Sequence, residues 1–309
     1  MTLSSSHLSQ ASPDALSTPL LGTALVLGGG GSAGNAWLIG IIAGLFDGGL
    51  DVTGADLIVG TSAGSTAAAQ ITGARPPQLL ADILQSSPPA GPTGERRPAR
   101  PILTRTHLDR TNAVIAASAD AADMRRRMGE ELQKDATPPA PTSPQWRAIV
   151  AARLPRQDWP RQRLLITAVD ALTGEPVVFD RDSGVDLADA VAASTAGGFA
   201  YAIGNSLFID GGYRANAENA DLAAGCAKVL VLSPFGGRTR LPAAWRLDLA
   251  TQLDELRAQG SHVEAIFPDD RAREAFGDDA MSPASRPPAA RAGYAHGLGL
   301  AGELSTFWR

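Results

Sequence analysis

The stretch ADLIVGTSAG, residues 55–64, decides the fold, because it joins an apolar strand to a helix through a serine between glycines. A strand that turns this sharply into a helix strains the backbone and lifts the serine hydroxyl clear of the sheet. Gly60 and Gly64 suit the turn, since a side chain at either position would collide with the crossing strand or helix. Ser62 is therefore the first candidate for a catalytic group.

The segment before this turn has the same strand–loop–helix organisation. Residues 23–27 form a short apolar run that ends in the glycines 28–31. Residues 35–45 then carry apolar side chains at the spacing of a buried helix face. Two successive units of this kind imply a parallel sheet with right-handed crossovers. We therefore predict an α/β fold with a central, mostly parallel mixed sheet between helices.

Later segments supply further strands and helices. Apolar runs predict five more strands, the second of them a hairpin partner of the first: 163–169, 176–179, 206–209, 228–232 and 263–267. Small or periodically apolar residues predict helices at 186–196 and 247–259.

Composition divides the chain into a tail, a domain and an insertion. Residues 1–21 are rich in Ser, Pro and Ala and lack the basic start and apolar core of a signal peptide, so we expect a disordered tail. Residues 22–309 have the pattern of one domain. Within it, proline-rich breaks flank a stretch predicted to be helical at 113–134. We interpret residues 85–160 as a partly helical insertion in a position to cap the site.

Composition also argues against several classes of function. A net charge of −5 and a pI near 5.4 give no bulk electrostatic attraction to nucleic acid. No apolar run reaches the roughly 18 residues that a membrane-spanning helix needs, so we expect a cytoplasmic location. The cysteine, Cys226, and the four histidines form no cluster with zinc-ligand spacing, so we expect no metal.

A serine hydrolase also needs donors for an oxyanion and a base for the nucleophile. The loop from Gly28 to Gly34 suits the first task, because glycines can turn their N–H groups toward a ligand at a helix N-terminus. Asp210 is the candidate base, at a predicted strand end and followed by Gly211 and Gly212. Asp-Gly is also a common turn sequence, so a purely structural turn is the other interpretation. An aspartate base requires a partly dry pocket that raises its pKa above the ordinary value of about 4.

Three motifs in chain order, GGGGSAG at 28–34, GTSAGS at 60–65 and DGG at 210–212, resemble those of the patatin-like phospholipases. The resemblance extends over about residues 25–300. It implies a three-layer α/β/α acyl hydrolase domain over residues 22–309, with a lipid or another acyl ester as substrate. We expect no encoded membrane anchor, but a mobile insertion could expose apolar surface for transient contact with a membrane surface.

The resemblance implies a role for each motif residue. Ser62 would attack the ester carbonyl, and Asp210 would take its proton without a histidine. The backbone N–H groups of Gly29, Gly30 and Gly31 would hold the oxyanion. Water would then release the acyl group, and no metal or organic cofactor is implied. The other motif glycines would support this arrangement: Gly28, Gly34, Gly60, Gly64, Gly211 and Gly212.

The chain departs from the family pattern at two places. Ala33 stands where the family usually has Arg or Lys, just before the last glycine of the loop. Gly197 and Gly198 follow Ser194-Thr195-Ala196, where the family usually has a proline. The first departure removes a positive charge that would assist the loop or a phosphate headgroup, and it weakens the expectation of a phospholipid substrate.

Three other functions compete with this interpretation. The loop also fits the G-x-G-x-x-G pattern of dinucleotide-binding proteins, although the second strand ends in Gly60-Thr61-Ser62 and not in an acidic residue. An α/β-hydrolase triad would add His262 or His296 to Ser62 and Asp210. A non-catalytic lipid- or acyl-binding module is the third alternative, motivated by the altered loop.

Overall fold

A mixed eight-stranded sheet forms the centre of the protein. The computed structural model describes residues 22–85, 101–134, 140–277 and 280–309. The strands in chain order are β1 (Thr23–Leu27), β2 (Leu57–Gly60), β3 (Arg163–Asp170), β4 (Pro176–Phe179), β5 (Tyr201–Ile203), β6 (Ser206–Asp210), β7 (Lys228–Leu232) and β8 (His262–Ile266).

Helices lie between the strands in sequence and cover both faces of the sheet. In chain order they are α1 (Gly31–Asp47), α2 (Ala63–Ile71), α3 (Pro76–Gln85), α4 (Pro101–Ala117), α5 (Ala121–Leu132), α6 (Ser143–Ala151), α7 (Leu187–Ser194), α8 (Leu249–Ala258), α9 (Asp270–Phe276) and α10 (Arg286–Trp308). Among the described residues, no helix has both the length and the apolar character needed to cross a bilayer.

The strand order brings the ends of the parallel strands to one edge of the sheet. The order is β5-β6-β3-β2-β1-β7-β8, with β4 also paired to β3. Strands β3, β2, β1, β7 and β8 are parallel neighbours, whereas β6 runs antiparallel to β3. Leu27 is in register with both Gly60 and Leu232, and Leu232 with Ile266. The loops after these four strands therefore meet at the same edge.

Alternation along β1 separates two cores. Leu25 and Leu27 pack with the helix layer that contains α1, α2, α7 and α10. Ala24 and Val26 point the other way and pack with α8. The predicted three-layer arrangement with a central mixed sheet is confirmed.

The C-terminal helix α10 packs along α1 at glycine contacts. A Cβ at Gly40 or Gly44 of α1 would overlap the backbone carbonyls of Ala290 and Tyr294. Neither α9 nor α10 is predicted from the sequence. The helix α10 is rich in Gly and Ala and lacks a clear apolar stripe. The contacts run in the same direction along both helices, so the N-termini of α1 and α10 lie side by side.

The structure differs from the sequence prediction in the middle segment. One helix is predicted at residues 113–134, but two helices occupy this part of the chain, α4 and α5. They separate before α5 because the Asp120 carboxylate accepts the Asp123 N–H at 2.8 Å and caps α5. The short strand β5 is also not predicted. The tail at residues 1–21 lies outside the described residues, as do 86–100 and 135–139 of the predicted insertion.

Candidate active site

Ser62 lies in a strained turn between β2 and α2. Its φ of 53° and ψ of −118° are uncommon for a residue with a side chain. The turn leaves no space at the neighbouring glycines, since a Cβ at Gly64 would overlap the Leu27 carbonyl oxygen. A Cβ at Gly60 would lie 2.7 Å from the Ser65 Cα. The local sequence therefore accounts for the turn that carries the half-buried Ser62 side chain.

The side chains of Ser62 and Asp210 are hydrogen-bonded. Ser62 Oγ donates to Asp210 Oδ2 at 2.7 Å. The other carboxylate oxygen, Oδ1, accepts the N–H of Gly212 at 2.8 Å, which fixes the orientation of the carboxylate. Asp210 ends β6 and pairs with Ala168 of β3, two residues beyond the Ile166–Gly60 pair, so the sheet itself brings the two residues together.

The carboxyl group of Asp210 is buried, and this changes its acidity. Asp210 is only 8% exposed. Burial raises the pKa of Asp210 from 3.8 to about 6, against the opposing effects of the Gly212 and Ser62 hydrogen bonds. The group is still ionised at neutral pH, and its pKa lies close enough to neutrality for a general base.

The glycine-rich loop passes beside Ser62. A Cβ at Gly29 would lie 3.4 Å from the Ser62 Cβ. The N–H of Gly29 donates to the Ala217 carbonyl at 2.8 Å and is therefore engaged within the protein. The N–H groups of Gly30 and Gly31 have no acceptor among the described residues. Gly31 has a φ of 63° and begins α1, so these two groups lie at a helix N-terminus.

The remaining motif glycines allow close backbone contacts around the pair. A Cβ at Gly211 would overlap Thr167, and one at Gly34 would lie 3.0 Å from the Pro234 Cβ. The Gly28 N–H donates to the Leu232 carbonyl at 3.0 Å. These contacts anchor the loop and the aspartate turn to neighbouring strands and loops.

Polar residues outside the predicted catalytic motifs connect the ends of β2 and β6. Asn219 Nδ2 donates to Thr61 Oγ1 and to the Gly211 carbonyl, both at 3.0 Å. Ser194 Oγ accepts the N–H of Ser62 at 2.9 Å. Asn219 lies outside the three motifs that carry the family resemblance. Nothing in the local sequence indicates its bonds, because its partners are distant in the chain.

The structure brings no described histidine to Ser62 or Asp210. His262 begins β8 and is in register with Lys228, at the sheet edge opposite to Ser62. His296 precedes Gly297, which packs against Ile41 in the middle of α1. Burial, with Arg240 and Arg110 nearby, lowers the pKa of His107 in α4. The geometry does not support the α/β-hydrolase triad. Among the described residues, no group of three or more His, Cys, Asp or Glu side chains could hold a metal ion.

Comparisons with known proteins identify the family. The sequence model of the patatin-like phospholipases matches residues 25–223, well over half of the chain. Among solved structures, VipD from Legionella pneumophila is similar with 13% identity and a TM-score of 0.42, over 93% of this chain and 68% of that one. The type III effector protein ExoU is similar with 13% identity and a TM-score of 0.37, over 93% and 54%. No curated protein sequence gives a significant match. The chain belongs to the patatin-like phospholipase family.

Proposed function

We propose that the protein is a lipid acyl hydrolase in which Ser62 is the nucleophile and Asp210 is the base. The observation that carries the proposal is the 2.7 Å hydrogen bond from Ser62 Oγ to Asp210 Oδ2, in a turn beside a glycine-rich loop. Family membership supports ester hydrolysis as the reaction class.

The proposed reaction has two stages. Asp210 accepts the Ser62 proton as Oγ attacks the ester carbonyl, and the N–H groups of Gly30 and Gly31 donate to the oxyanion. Protonated Asp210 then gives its proton to the departing alkoxide, which leaves an acyl group on Ser62. In the second stage Asp210 deprotonates a water molecule as its oxygen attacks the acyl group, and it then returns that proton to Ser62 Oγ as the bond to the acyl group breaks, which releases the carboxylic acid and regenerates the serine. We assign Gly29 to holding the loop, because its N–H donates to Ala217. The mechanism uses no metal or organic cofactor.

The test of the function is hydrolysis of p-nitrophenyl esters of graded chain length. We expect activity, with kcat/KM rising as pH increases through about 6 and constant above it, because only ionised Asp210 can accept the proton. The His262→Ala and His296→Ala variants are expected to keep the wild-type profile. A large loss in either of them would favour a triad that includes histidine, and a flat profile across this range would contradict Asp210 as the base.

An apolar rim beside the loop supports a lipid substrate. We define the apolar rim as Phe235, Phe267 and Met281, which are 38%, 41% and 62% exposed. Phe235 and Phe267 follow β7 and β8 at the same sheet edge as Ser62, and Met281 lies against Gly31. We propose that the rim contacts the acyl chains of a lipid surface.

Polar substitutions in the apolar rim are expected to lower hydrolysis of esters in vesicles without changing hydrolysis of a soluble ester. The Phe235→Ser/Phe267→Ser variant should lose roughly tenfold or more of its hydrolysis of esters presented in phosphatidylcholine vesicles, because a buried aromatic side chain contributes about 1.5–3 kcal/mol. Hydrolysis of soluble p-nitrophenyl butyrate should stay unchanged. Leu298→Ser, a similarly exposed position in α10, is the control. Equal losses on both substrates would contradict a role in lipid contact.

We also propose that the described part of the predicted insertion at residues 85–160, which contains α4, α5 and α6, caps the site. The Arg240 guanidinium supports this, since it donates to Thr111 Oγ1 of α4 at 2.7 Å. Burial and then the Asp210 carboxylate raise the pKa of Tyr213, three residues after Asp210, whereas the positive charge of Arg240 opposes this shift. Arg240 thus links α4 to the neighbourhood of the aspartate.

A further inference from the structure

An arginine from the C-terminal helix is bonded to the glycine-rich loop. Arg286, half-buried, is the first residue of α10. Its Nη1 donates to the Ser32 carbonyl at 3.2 Å and to Asn35 Oδ1 at 3.0 Å. Ser32 flanks Ala33, the position at which this loop lacks a cation of its own. The guanidinium therefore reaches the loop from a segment more than 250 residues later.

The placement of this cation is electrostatically unfavourable. The N-termini of α1 and α10 lie side by side, and both carry the positive end of a helix dipole. Burial, with Arg153 nearby, lowers the pKa of Arg286. Among the described residues no carboxylate forms a salt bridge with it. The cation is held there by two hydrogen bonds, one to Ser32 of the loop and one to Asn35 of α1.

Asn35 extends the contact to the nucleophile helix. While its Oδ1 accepts from Arg286, its Nδ2 donates to Gln70 Oε1 at 3.0 Å and to the Ala63 carbonyl at 3.4 Å. Ala63 directly follows Ser62. The chain of bonds from Arg286 through Asn35 to Ala63 thus joins the loop to the turn that carries the nucleophile.

We infer that Arg286 is a positioning residue that holds the glycine-rich loop in place against the nucleophile helix. The inference rests on the proposed function. Without Arg286, the Ser32 carbonyl loses a donor, and the adjacent Gly30 and Gly31 N–H groups lose one of the contacts that fix their position. Since these groups are proposed to bind the oxyanion, loss of Arg286 should destabilise the transition state more than the bound substrate.

The test is a comparison of kcat and KM in variants at Arg286, with p-nitrophenyl butyrate as substrate. Arg286→Ala is expected to lower kcat roughly 10- to 100-fold with little change in KM, the size of loss that follows from misplaced groups in an active site. Arg286→Lys should recover most of the kcat, because an ammonium group can donate to the same two oxygens. The Arg291→Ala variant, at an exposed position one turn later in α10, should have wild-type kinetics. Rates are divided by the number of sites that react with a fluorophosphonate, so that misfolded protein is not counted.

Each outcome has a distinct meaning. An inactive, folded wild type would refute the proposed function itself. An active wild type with unchanged kcat in Arg286→Ala would overturn only the role of Arg286. Equal losses in the Lys and Ala variants, or a loss that disappears after division by reactive sites, would also overturn it. If Arg286→Ala does not fold, Arg286→Gln replaces it, with the same expected fall in kcat and the same contradicting result.

Discussion

Replacing Ser62 with alanine is expected to lower kcat/KM for ester hydrolysis by roughly 10⁴-fold or more, because the acyl group then has no acceptor. Asp210→Asn is expected to cost roughly 10³- to 10⁴-fold, since an amide can occupy the same space but cannot accept the proton. Both variants should bind substrate, because neither removes an apolar contact. The measurement is the rate on p-nitrophenyl butyrate, with His296→Ala as the control that should remain active. Turnover near the wild-type rate in either variant would contradict the mechanism.

Asp210→Asn is expected to lower activity but to increase the stability of the folded protein above about pH 6. Folding raises the pKa of Asp210 from 3.8 to about 6, so the folded state binds the proton more tightly than the unfolded state. The stabilisation from the protonated form is therefore complete below about pH 4 and is lost as pH rises through about 6. The pKa difference corresponds to about 3 kcal/mol at neutral pH. Urea unfolding at about pH 8 should thus show Asp210→Asn to be more stable than wild type, with the advantage absent at about pH 4. A destabilised variant at both pH values would show that the lost activity reflects a damaged fold.

Gly64→Ala is expected to have the largest effect on folding. The added methyl group would overlap the Leu27 carbonyl oxygen and approach Gly28, and backbone atoms in adjacent elements cannot move aside as a flexible side chain can. We expect a loss of about 3 kcal/mol or more in the free energy of unfolding, at the upper end for overpacking. Gly299→Ala is the matched control, because a Cβ there has open space in a helix and should stabilise by about 0.5–1 kcal/mol. Equal stability of Gly64→Ala and wild type in urea unfolding would contradict the close contact at this turn.

Local sequence predicts those elements of the fold that form from interactions between residues close together in the chain. The apolar run before Gly60 and the small residues after Ser62 specify a strand, a turn and a helix without distant partners. The strand predicted at 228–232 has the same bounds in the structure, because a short apolar run between turns specifies it. The helix α10 could not be predicted in this way. Its stability comes from backbone contacts such as Gly297 against Ile41, which exist only after α1 is in place.

The candidate site also has residues that local motifs predict and contacts that they do not. Ser62, Asp210 and the loop glycines stand in recognisable motifs, and the family resemblance suggests how they combine. The hydrogen bond from the Gly29 N–H to the Ala217 carbonyl could not be predicted. The same is true of the hydrogen bonds of Asn219 and Arg286. Each of these depends on two segments that are far apart in the chain and meet only in the folded protein.

The most direct test of the central claim is the site of reaction with a fluorophosphonate. The probe phosphonylates an activated serine, and peptide mapping by mass spectrometry locates the adduct. We predict one adduct per chain, on Ser62, no adduct in Ser62→Ala, and slow labelling of Asp210→Asn because its serine lacks a base. An adduct on another residue, or a folded wild type that does not react, would contradict the assignment of Ser62 and Asp210. The latter result would instead favour a lipid-binding protein without catalytic activity.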